Sequence, residues 1–325
     1  MNVTSVSIPT IQDVRKAAKT IEGISYKTPL YRSEYLSRQF QANVFLKLEC
    51  YQPTRVFKIR GASNKILSLG RSERRRGLVT ASSGNHGLSV AYVARMLAIP
   101  ATIVVPSSVV KEKVEAIRAE NASVIEHGRS HAEIFSLAKD IQKERGATFV
   151  PPFDDPKVIA GQGTIGLEIM EDLPDVDTVL VPVGGGGLIS GVSLSVKALK
   201  PETKIHGVQS RAMPSMYESL RDGRPVRLVP VETIADGLTP EEPSRLTFQM
   251  TQKNVESILL TSEARIRWAT RMSLEQLHLL IEPSAAAVIA ALGESYMPIK
   301  GENLVLVISG GNISLKLLRD LLVVG

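Results

Sequence analysis

The sequence predicts an α/β fold built on open, mostly parallel, twisted sheets with helices on both faces. Short β-branched runs alternate with amphipathic stretches along most of the 325 residues, which is typical of repeated strand and helix units. Several runs, such as residues 179–183 and 304–308, are apolar throughout. Such runs are expected for strands of a parallel sheet that is covered on both faces.

Nine strands are predicted, and helical patterns fill most of the gaps between them. Their ranges are 43–49, 78–81, 101–105, 123–126, 148–150, 178–183, 204–208, 257–260 and 303–309. In such folds ligands bind at the carboxyl ends of the strands, where loops lead into helices. The loops after these strands are therefore the places where functional residues are expected.

Composition and charge narrow the class of protein. Lys and Arg number 39 against 33 Asp and Glu, a net charge of +6, which suits anionic small molecules as well as nucleic acid. Aromatic residues are only 5% and no nucleic-acid motif occurs, so nucleic acid is not an expected partner. The longest uncharged stretch, residues 178–196, contains four consecutive glycines, so no membrane span is expected.

Cysteine and histidine usage indicates a reducing compartment and argues against metal chemistry. Cys50 is the only cysteine, so neither an internal disulfide nor a multi-thiolate metal site can form. The first residues lack the pattern of a signal peptide, and a cytoplasmic location is expected. His127 and His131 are four residues apart, but no glutamate completes a His-Glu-x-x-His motif, and no bound metal is expected.

A run of four glycines is the first chemically unusual loop. Gly184, Gly185, Gly186 and Gly187 follow the predicted strand 178–183 and precede a helical pattern. Residues without a Cβ let backbone amides converge on an anion, and the helix N-terminus behind them adds a positive dipole. The run therefore predicts a phosphate site, without the Lys-Ser or Lys-Thr that would indicate a nucleoside triphosphate.

A second glycine pattern, Gly161-x-Gly163-x-x-Gly166, matches the dinucleotide-binding string. A dinucleotide site needs a preceding strand, whereas this pattern follows a turn and the start of a predicted helix. We therefore interpret these glycines as sites of close helix packing.

The loop after the second predicted strand is rich in hydroxyl and amide groups. Its residues are Ser82, Ser83, Gly84, Asn85 and His86. Hydroxyls and free amides at a helix N-terminus suit a carboxylate, although such clusters often serve only as helix caps. A ligand role thus depends on the other loops.

Lys58 is a candidate nucleophile. It lies between apolar neighbours in Val56-Phe57-Lys58-Ile59, and desolvation lowers the pKa of an amine and makes it nucleophilic. A single lysine normally faces solvent, so this assignment also depends on the remaining motifs.

Together, a phosphate site, a carboxylate site, a lysine able to form a Schiff base and a late Ser-Gly-Gly-Asn loop suit pyridoxal 5′-phosphate. In this combination the sequence resembles the fold type II pyridoxal-phosphate enzymes, in the threonine dehydratase and serine racemase family. The resemblance extends from Ile11 to about Leu317. It depends on motifs at residues 57–62, 82–87, 159–165, 184–187, 232–237, 282–285 and 309–312, which occur in the family's order and spacing.

The resemblance implies a role for each motif. Lys58 would bind the cofactor aldehyde covalently and act as the catalytic base. Phe57 would pack near the pyridine ring, Asn85 would bond the ring hydroxyl, and Ser309 would face the ring nitrogen. The four glycines would hold the phosphate, and the loop of Ser82 to His86 would bind the substrate carboxylate. Ser83 would be the second catalytic residue, on the opposite face of the cofactor.

The resemblance also implies architecture and reaction. A large cofactor-binding domain would comprise residues 1–48 and 150–325, with a small domain of residues 49–149 inserted, and the protein would form a homodimer or higher homo-oligomer. The expected substrate is a small hydroxy amino acid, with L-threonine converted to 2-oxobutanoate and ammonia by α,β-elimination. Serine racemase and 3-hydroxyaspartate dehydratase remain alternatives. A non-catalytic carrier and a β-replacement enzyme fit the motifs less well.

The sequence departs from the family pattern in places. Thr54-Arg55-Val56 replaces the usual Thr-Gly-Ser before Phe57, which leaves substrate choice open. Arg55 either forms a surface salt bridge or recognises a second substrate anion. Cation-activated members place a carboxylate after the strand that here ends at Val208, where this chain has Gln209, a cation at Arg211 and no nearby acid, so we expect activity that is indifferent to chelators. The length leaves no room for a regulatory extension, so isoleucine feedback is not expected.

Overall fold

The computed structural model describes residues 7–294 and 299–323, which form two sheets covered by helices. The strands are β1 (Leu30–Arg32), β2 (Asn43–Leu48), β3 (Leu78–Ala81), β4 (Ala101–Val105), β5 (Ser123–Glu126), β6 (Thr148–Phe149), β7 (Thr178–Pro182), β8 (Lys204–Ser210), β9 (Ser257–Thr261) and β10 (Asn303–Ile308). The α-helices are α1 (Ile11–Thr20), α2 (Glu34–Phe40), α3 (Lys58–Leu67), α4 (Arg71–Arg76), α5 (Asn85–Met96), α6 (Lys111–Ala119), α7 (His131–Arg145), α8 (Pro156–Asp172), α9 (Gly187–Leu199), α10 (Ser215–Asp222), α11 (Arg245–Asn254), α12 (Glu263–Leu277), α13 (Pro283–Glu294) and α14 (Leu315–Val323). Short 3₁₀ turns occur at Glu49–Tyr51 and Asp236–Leu238.

The larger sheet has the strand order β1-β2-β10-β7-β8-β9, and only β1 runs antiparallel to its neighbour. Its central strands are apolar on both sides because helices cover both faces. Leu304, Leu306 and Ile308 of β10 pack in the same cluster as α13, whereas Val305 and Val307 pack with α8 and α9. Because successive side chains of a strand point to opposite faces of the sheet, β10 contributes to the hydrophobic core on each face.

The smaller sheet has the order β5-β4-β3-β6 and is parallel throughout. On one face, Leu78 and Ile103 of the strands pack against α3 and α5. On the other face, Val79 and Val104 pack against α7. Helix α3 also packs against α8, which lies on the larger sheet. The helix that begins at Lys58 therefore joins the two sheets.

The glycines of α8 make this packing possible. A Cβ on Gly161 would lie 2.6 Å from the carbonyl oxygen of Arg60 in α3, and a Cβ on Gly163 would lie 3.0 Å from the carbonyl oxygen of Gly191 in α9. Contacts that short force the backbone apart. The interpretation of Gly161, Gly163 and Gly166 as helix-packing residues is confirmed.

The predicted α/β class and its nine strands are confirmed, with shifts of one or two residues at strand ends. Strand β1 was not predicted, because three residues with an exposed tyrosine carry no periodic signal. Strands β3 to β6 all lie between residues 78 and 149, inside the range given to the small domain, while the division into two domains stays a prediction. Within the described residues no helix is long and apolar enough to cross a membrane.

Candidate functional site

The backbone around Val56 places Lys58 beside the end of β10. Val56 forms an antiparallel bridge with Gly310, and the Phe57 N–H donates a hydrogen bond of 3.0 Å to the Ser309 carbonyl. Helix α3 begins directly after this contact. The predicted lysine and the predicted serine, which are far apart in sequence, are therefore neighbours at the carboxyl edge of the larger sheet.

The Lys58 amine lies in a largely uncharged environment. Its Nζ donates to the Pro152 carbonyl at 2.8 Å and is 5.1 Å from the centre of the Phe57 ring. Burial lowers the pKa of Lys58 to about 8, opposed by the negative charge of Glu282. About a tenth of such amines are neutral at pH 7, and the neutral form is the nucleophile.

The glycine loop connects β7 to α9 and fits a phosphate group. Gly186 has a φ of +89°, in the left-handed region. A Cβ on Gly184 would lie 2.5 Å from the Gly237 carbonyl oxygen, a Cβ on Gly187 would lie 2.8 Å from Cβ of Phe153, and a Cβ on Gly185 would clash with the Phe153 ring. The loop can pack this tightly only as glycine, while the free N–H groups of the first turn of α9 remain available to an anion.

The hydroxyl-rich loop connects β3 to α5. The Ser82 N–H donates to the Val104 carbonyl at 3.0 Å, which continues the sheet, and a Cβ on Gly87 would clash with the Ser82 carbonyl. Ser82, Ser83, Gly84 and Asn85 are half-buried. The loop is thus fixed at both ends and accessible in its middle, at the N-terminus of a 12-residue helix, which suits a substrate carboxylate.

His86 differs from its neighbours in this loop. Its side chain is buried, its Nε2 is 2.9 Å from the Val150 carbonyl oxygen, and its Nδ1 has no partner among the described residues. Burial and the positive charge of Lys58 lower the pKa of His86 to about 3. The ring is therefore neutral, and Nε2 carries the hydrogen because a carbonyl only accepts. Since the side chain is buried, any contact of His86 with substrate would come from its backbone N–H.

Two functional candidates were missed at the sequence level. Pro152 supplies the carbonyl that Lys58 contacts, and none of the predicted motifs includes it. Glu282 belongs to the motif at residues 282–285, for which no role was predicted, although it is a buried carboxylate whose oxygens contact the Asn85 amide. An acidic residue directly before an apolar, proline-initiated helix was the available signal.

Arg55 lies at the margin of the site. Its φ is +61°, and its carbonyl accepts from the Gly311 N–H at 2.8 Å. The residue is exposed and forms no ion pair with the described residues. Of the two alternatives given for Arg55, the surface salt bridge finds no partner among the described residues, and both alternatives stay predictions.

The fold and the site together define an enzyme that binds a phosphate-bearing aldehyde through a lysine, which is the chemistry of pyridoxal phosphate. The lysine, the glycine loop and the serine at the end of β10 all fit that group. The chain belongs to the family of pyridoxal-phosphate dependent enzymes, whose model matches residues 21–310. The predicted family, fold class and cofactor are confirmed.

Curated relatives and solved structures agree with this membership. The chain is 46% identical over 309 residues to an L-threonine ammonia-lyase of Thermotoga maritima, which covers 95% of this chain and 77% of the relative. It is 40% identical over 317 residues to the catabolic L-threonine dehydratase TdcB of Escherichia coli K12, with 97% and 96% covered. The structure of maize serine racemase matches with a TM-score of 0.93, 33% identity and 97% of each chain covered. The processed form of threonine deaminase isoform 2 from Solanum lycopersicum matches with a TM-score of 0.91, 35% identity and 98% and 90% covered.

Proposed function

We propose that the protein is an L-threonine ammonia-lyase that converts L-threonine to 2-oxobutanoate and ammonia by α,β-elimination. The observation that carries the proposal is the Lys58 amine, whose pKa burial lowers to about 8 and which donates to the Pro152 carbonyl rather than to a carboxylate. Relatives that share 46% and 40% identity over most of the chain are named L-threonine ammonia-lyase and L-threonine dehydratase, which supports threonine as the substrate.

Each loop has a binding role in this proposal. The glycine loop of Gly184 to Gly187 holds the cofactor phosphate at the N-terminus of α9. Asn85 would bond the ring hydroxyl, Phe57 would pack near the ring and Ser309 would face the ring nitrogen. The loop of Ser82 to His86 binds the carboxylate of the amino acid through backbone N–H groups and hydroxyls.

Lys58 moves the proton in the elimination. When bound, pyridoxal phosphate supplies an electron sink for the pair left at the α-carbon. The Lys58 amine would accept the α-proton at Nζ. The β-hydroxyl leaves with the electrons of its C–O bond and takes up a proton to depart as water. The released enamine tautomerises to an imine, and water hydrolyses it to the oxo acid and ammonia.

Serine racemase is the second candidate function. The half-buried Ser83 lies in the hydroxyl-rich loop, and the structural similarity to maize serine racemase extends over 97% of the chain. In a racemase Ser83 would exchange the α-proton on the face opposite to Lys58. A serine at this position permits racemisation without requiring it.

Arg55 favours a further substrate, 3-hydroxyaspartate. Its guanidinium is free of ion pairs with the described residues and lies next in sequence to Val56, which bridges to Gly310. An unpaired guanidinium can bind a second carboxylate bidentately. We expect Arg55→Ala to lower turnover of 3-hydroxyaspartate more than turnover of threonine, and an unchanged ratio would exclude this role.

Location and assembly complete the proposal. A cytoplasmic enzyme is consistent with Cys50, a free and buried thiol whose pKa burial raises to about 11, since such a thiol stays protonated and unreactive. A homodimer or higher homo-oligomer follows from the family resemblance, and gel filtration with light scattering would measure it.

The test uses the purified holoenzyme with L-threonine. We expect equal amounts of 2-oxobutanoate and ammonia, and reduction with borohydride should leave a cofactor label on Lys58 by mass spectrometry. Absence of oxo acid, or a label on another residue, would contradict the proposal. With L-serine, D-serine formed without oxo acid would instead support the racemase.

A further inference from the structure

Glu282 is a buried carboxylate in the site that the proposed reaction does not use. It is only 4% exposed and directly precedes α13. Its N–H donates to the Gly310 carbonyl at 3.1 Å, and a Cβ on Gly310 would lie 2.8 Å from its Oε1. Glycine at position 310 thus leaves the space in which this carboxylate lies.

The Asn85 side chain is held at both ends by protein groups. Its Nδ2 donates to the two oxygens of Glu282 at 2.9 and 3.0 Å. Its Oδ1 accepts from Nδ2 of Asn312 at 2.8 Å, and the same Asn312 nitrogen donates to the Thr54 carbonyl at 2.9 Å. Three loops therefore meet at one amide.

These partners allow only one orientation of the amide. An ionised carboxylate only accepts hydrogen bonds, and the Asn312 nitrogen only donates them. With the amide reversed, Oδ1 of Asn85 would face the Glu282 carboxylate and two NH₂ groups would face each other. The two oxygens of one carboxylate lie too close together to receive separate hydrogens of one NH₂ group. In the observed orientation Nδ2 therefore shares one hydrogen between the two Glu282 oxygens and keeps the second for another acceptor.

We propose that Glu282 is a positioning residue that, together with Asn312, fixes the Asn85 amide so that its second N–H is directed at the ring hydroxyl of the bound cofactor. The proposal rests on the proposed role of Asn85 and on the family's cofactor. It does not depend on threonine as the substrate.

The charge of Glu282 makes this positioning sensitive to pH. Burial raises the pKa of Glu282 to about 7, although the Asn85 hydrogen bond opposes the rise. The charged and titratable groups that face it are Asp236, Lys113, Lys58 and Cys50. A protonated Glu282 can donate a hydrogen bond, so it no longer opposes the reversed amide, and only Asn312 still does. The amide is therefore held by both partners above pH 7 and by Asn312 alone below it.

The first test compares wild type with Glu282→Gln in the absence of any amino acid. In wild type we expect the visible absorption band of the bound cofactor to change with pH, with a midpoint near 7, and in Glu282→Gln we expect no such change. At pH 8 the cofactor affinity of Glu282→Gln should fall about fivefold to tenfold, because a neutral amide is a weaker acceptor than a carboxylate. A variant that keeps the wild-type midpoint and affinity would overturn the proposal.

The second test asks whether Glu282 acts through Asn85. In an Asn85→Ala background, Glu282→Gln should change cofactor affinity less than about twofold, because the group that it positions is gone. A further loss of about fivefold in that background would show that Glu282 acts by another route, and the proposal would be wrong. Glu302→Gln is the matched control, since Glu302 also accepts bonds, from Thr178 and Lys204, but precedes β10 at the edge of the larger sheet opposite to the site. An equal effect of that control would also overturn the proposal.

Asn312→Ala tests the same proposal if the Glu282→Gln variant does not fold. Asn312 is exposed, so its removal leaves no buried charge unpaired. We expect weaker cofactor binding in the same direction as for Glu282→Gln, and unchanged binding would contradict the proposal. Because all these measurements use cofactor alone, a failure of threonine turnover would count against the proposed function and not against this inference.

Discussion

Lys58 and Arg60 lie two residues apart in the first turn of α3, and their surroundings are opposite in character. Lys58 donates one hydrogen bond, to the Pro152 carbonyl. Arg60 is 1% exposed and donates to Glu49 at 2.7 and 2.8 Å, and to Glu168 at 2.5 and 2.9 Å. Among residues 7–294 and 299–323, Lys58 has no direct carboxylate partner, whereas Arg60 has two.

The difference decides which side chain keeps its charge. Desolvation penalises both cations, but the negative charges of Glu49 and Glu168 more than offset it for Arg60 and raise the pKa of its guanidinium. Burial likewise acts against the charged form of Glu49, yet the pKa of Glu49 is lowered because Arg60 is so close. For Lys58 desolvation prevails. Partners, not burial alone, therefore separate a structural cation from a reactive amine.

The Arg60 cluster also reaches the larger sheet. Lys47 of β2 pairs with Glu168 of α8 at 2.6 Å, and the Thr28 hydroxyl donates to Glu49 at 2.6 Å. The ion network thus ties α3 to β2 and α8. Because Lys58 begins the same helix, the network holds the backbone from which the reactive amine projects.

Removing the reactive amine should have the largest effect on function. We expect Lys58→Met to lower threonine turnover by at least ~10³-fold, since both covalent attachment and proton abstraction depend on this amine. The measurement is oxo acid formation by purified protein, with circular dichroism to confirm the fold. A variant that retained a tenth of the wild-type rate would refute the assigned role.

Removing the structural cation should have the largest effect on stability. We expect Arg60→Met to lower the free energy of unfolding by about 3–5 kcal/mol, because Glu49 would be left buried without its main partner. Urea denaturation of the holoenzyme measures this loss. Arg118→Met is the matched control, because its pair with Glu126 is exposed and should contribute little. Similar losses in the two variants would show that the buried Arg60 pairs contribute no more to stability than the exposed pair of Arg118.

The sequence predicted the reactive member of this pair better than the structural one. Lys58, the glycine loop and Ser309 all lie next to predicted strands or known motifs, and parallel topology brings such loops to one edge. Arg60 carries no such signal, because its partners Glu49 and Glu168 lie 11 and 108 residues away. Their contact depends on how α3 packs on α8, which periodicity does not reveal.

The same limit applies to the inner contacts of the site. Asn85 was predicted to bind the cofactor ring, but its partner Glu282 is 197 residues away. Short-range patterns identify strands and loops because they reflect local burial. They do not reveal which two loops meet, since that is decided by side-chain packing between distant elements.

Whereas Arg60→Met should destabilise the protein, Lys58→Met should stabilise the apoenzyme. An unfolded lysine has an ordinary pKa of 10.5 and folded Lys58 one of about 8, so below pH 8 the folded state holds a buried charge that is disfavoured. We expect Lys58→Met to raise the free energy of unfolding by ~1–3 kcal/mol at pH 7. The gain should shrink as pH rises from 8 to 10.5, because the unfolded wild type then binds more protons than the folded one.

Urea denaturation of cofactor-free protein at pH 7 and at pH 9.5 would measure this gain. Lys65→Met is the control on the same helix, because Lys65 has a carboxylate partner, Asp155, at 2.6 Å. Its removal should not stabilise the protein. A Lys58→Met apoenzyme less stable than wild type at pH 7 would show that the amine does not cost stability, and the comparison with Arg60 would fail.

Gln209 extends the comparison to a buried polar group without charge, and its expected effects are the smallest. Its Oε1 accepts from the N–H groups of Met216 and Tyr217 at 3.0 Å each, in the first turn of α10, and its Nε2 lies 3.4 Å from the Met213 carbonyl oxygen. A neutral amide thus serves acceptor and donor roles with protein partners alone.

We expect that EDTA leaves threonine turnover unchanged, whereas a large loss restored by Mg²⁺ would contradict this. In EDTA, Gln209→Glu should lower the free energy of unfolding by ~1 kcal/mol. The new carboxylate can still accept from the N–H groups of Met216 and Tyr217, but it has no hydrogen to donate to the Met213 carbonyl.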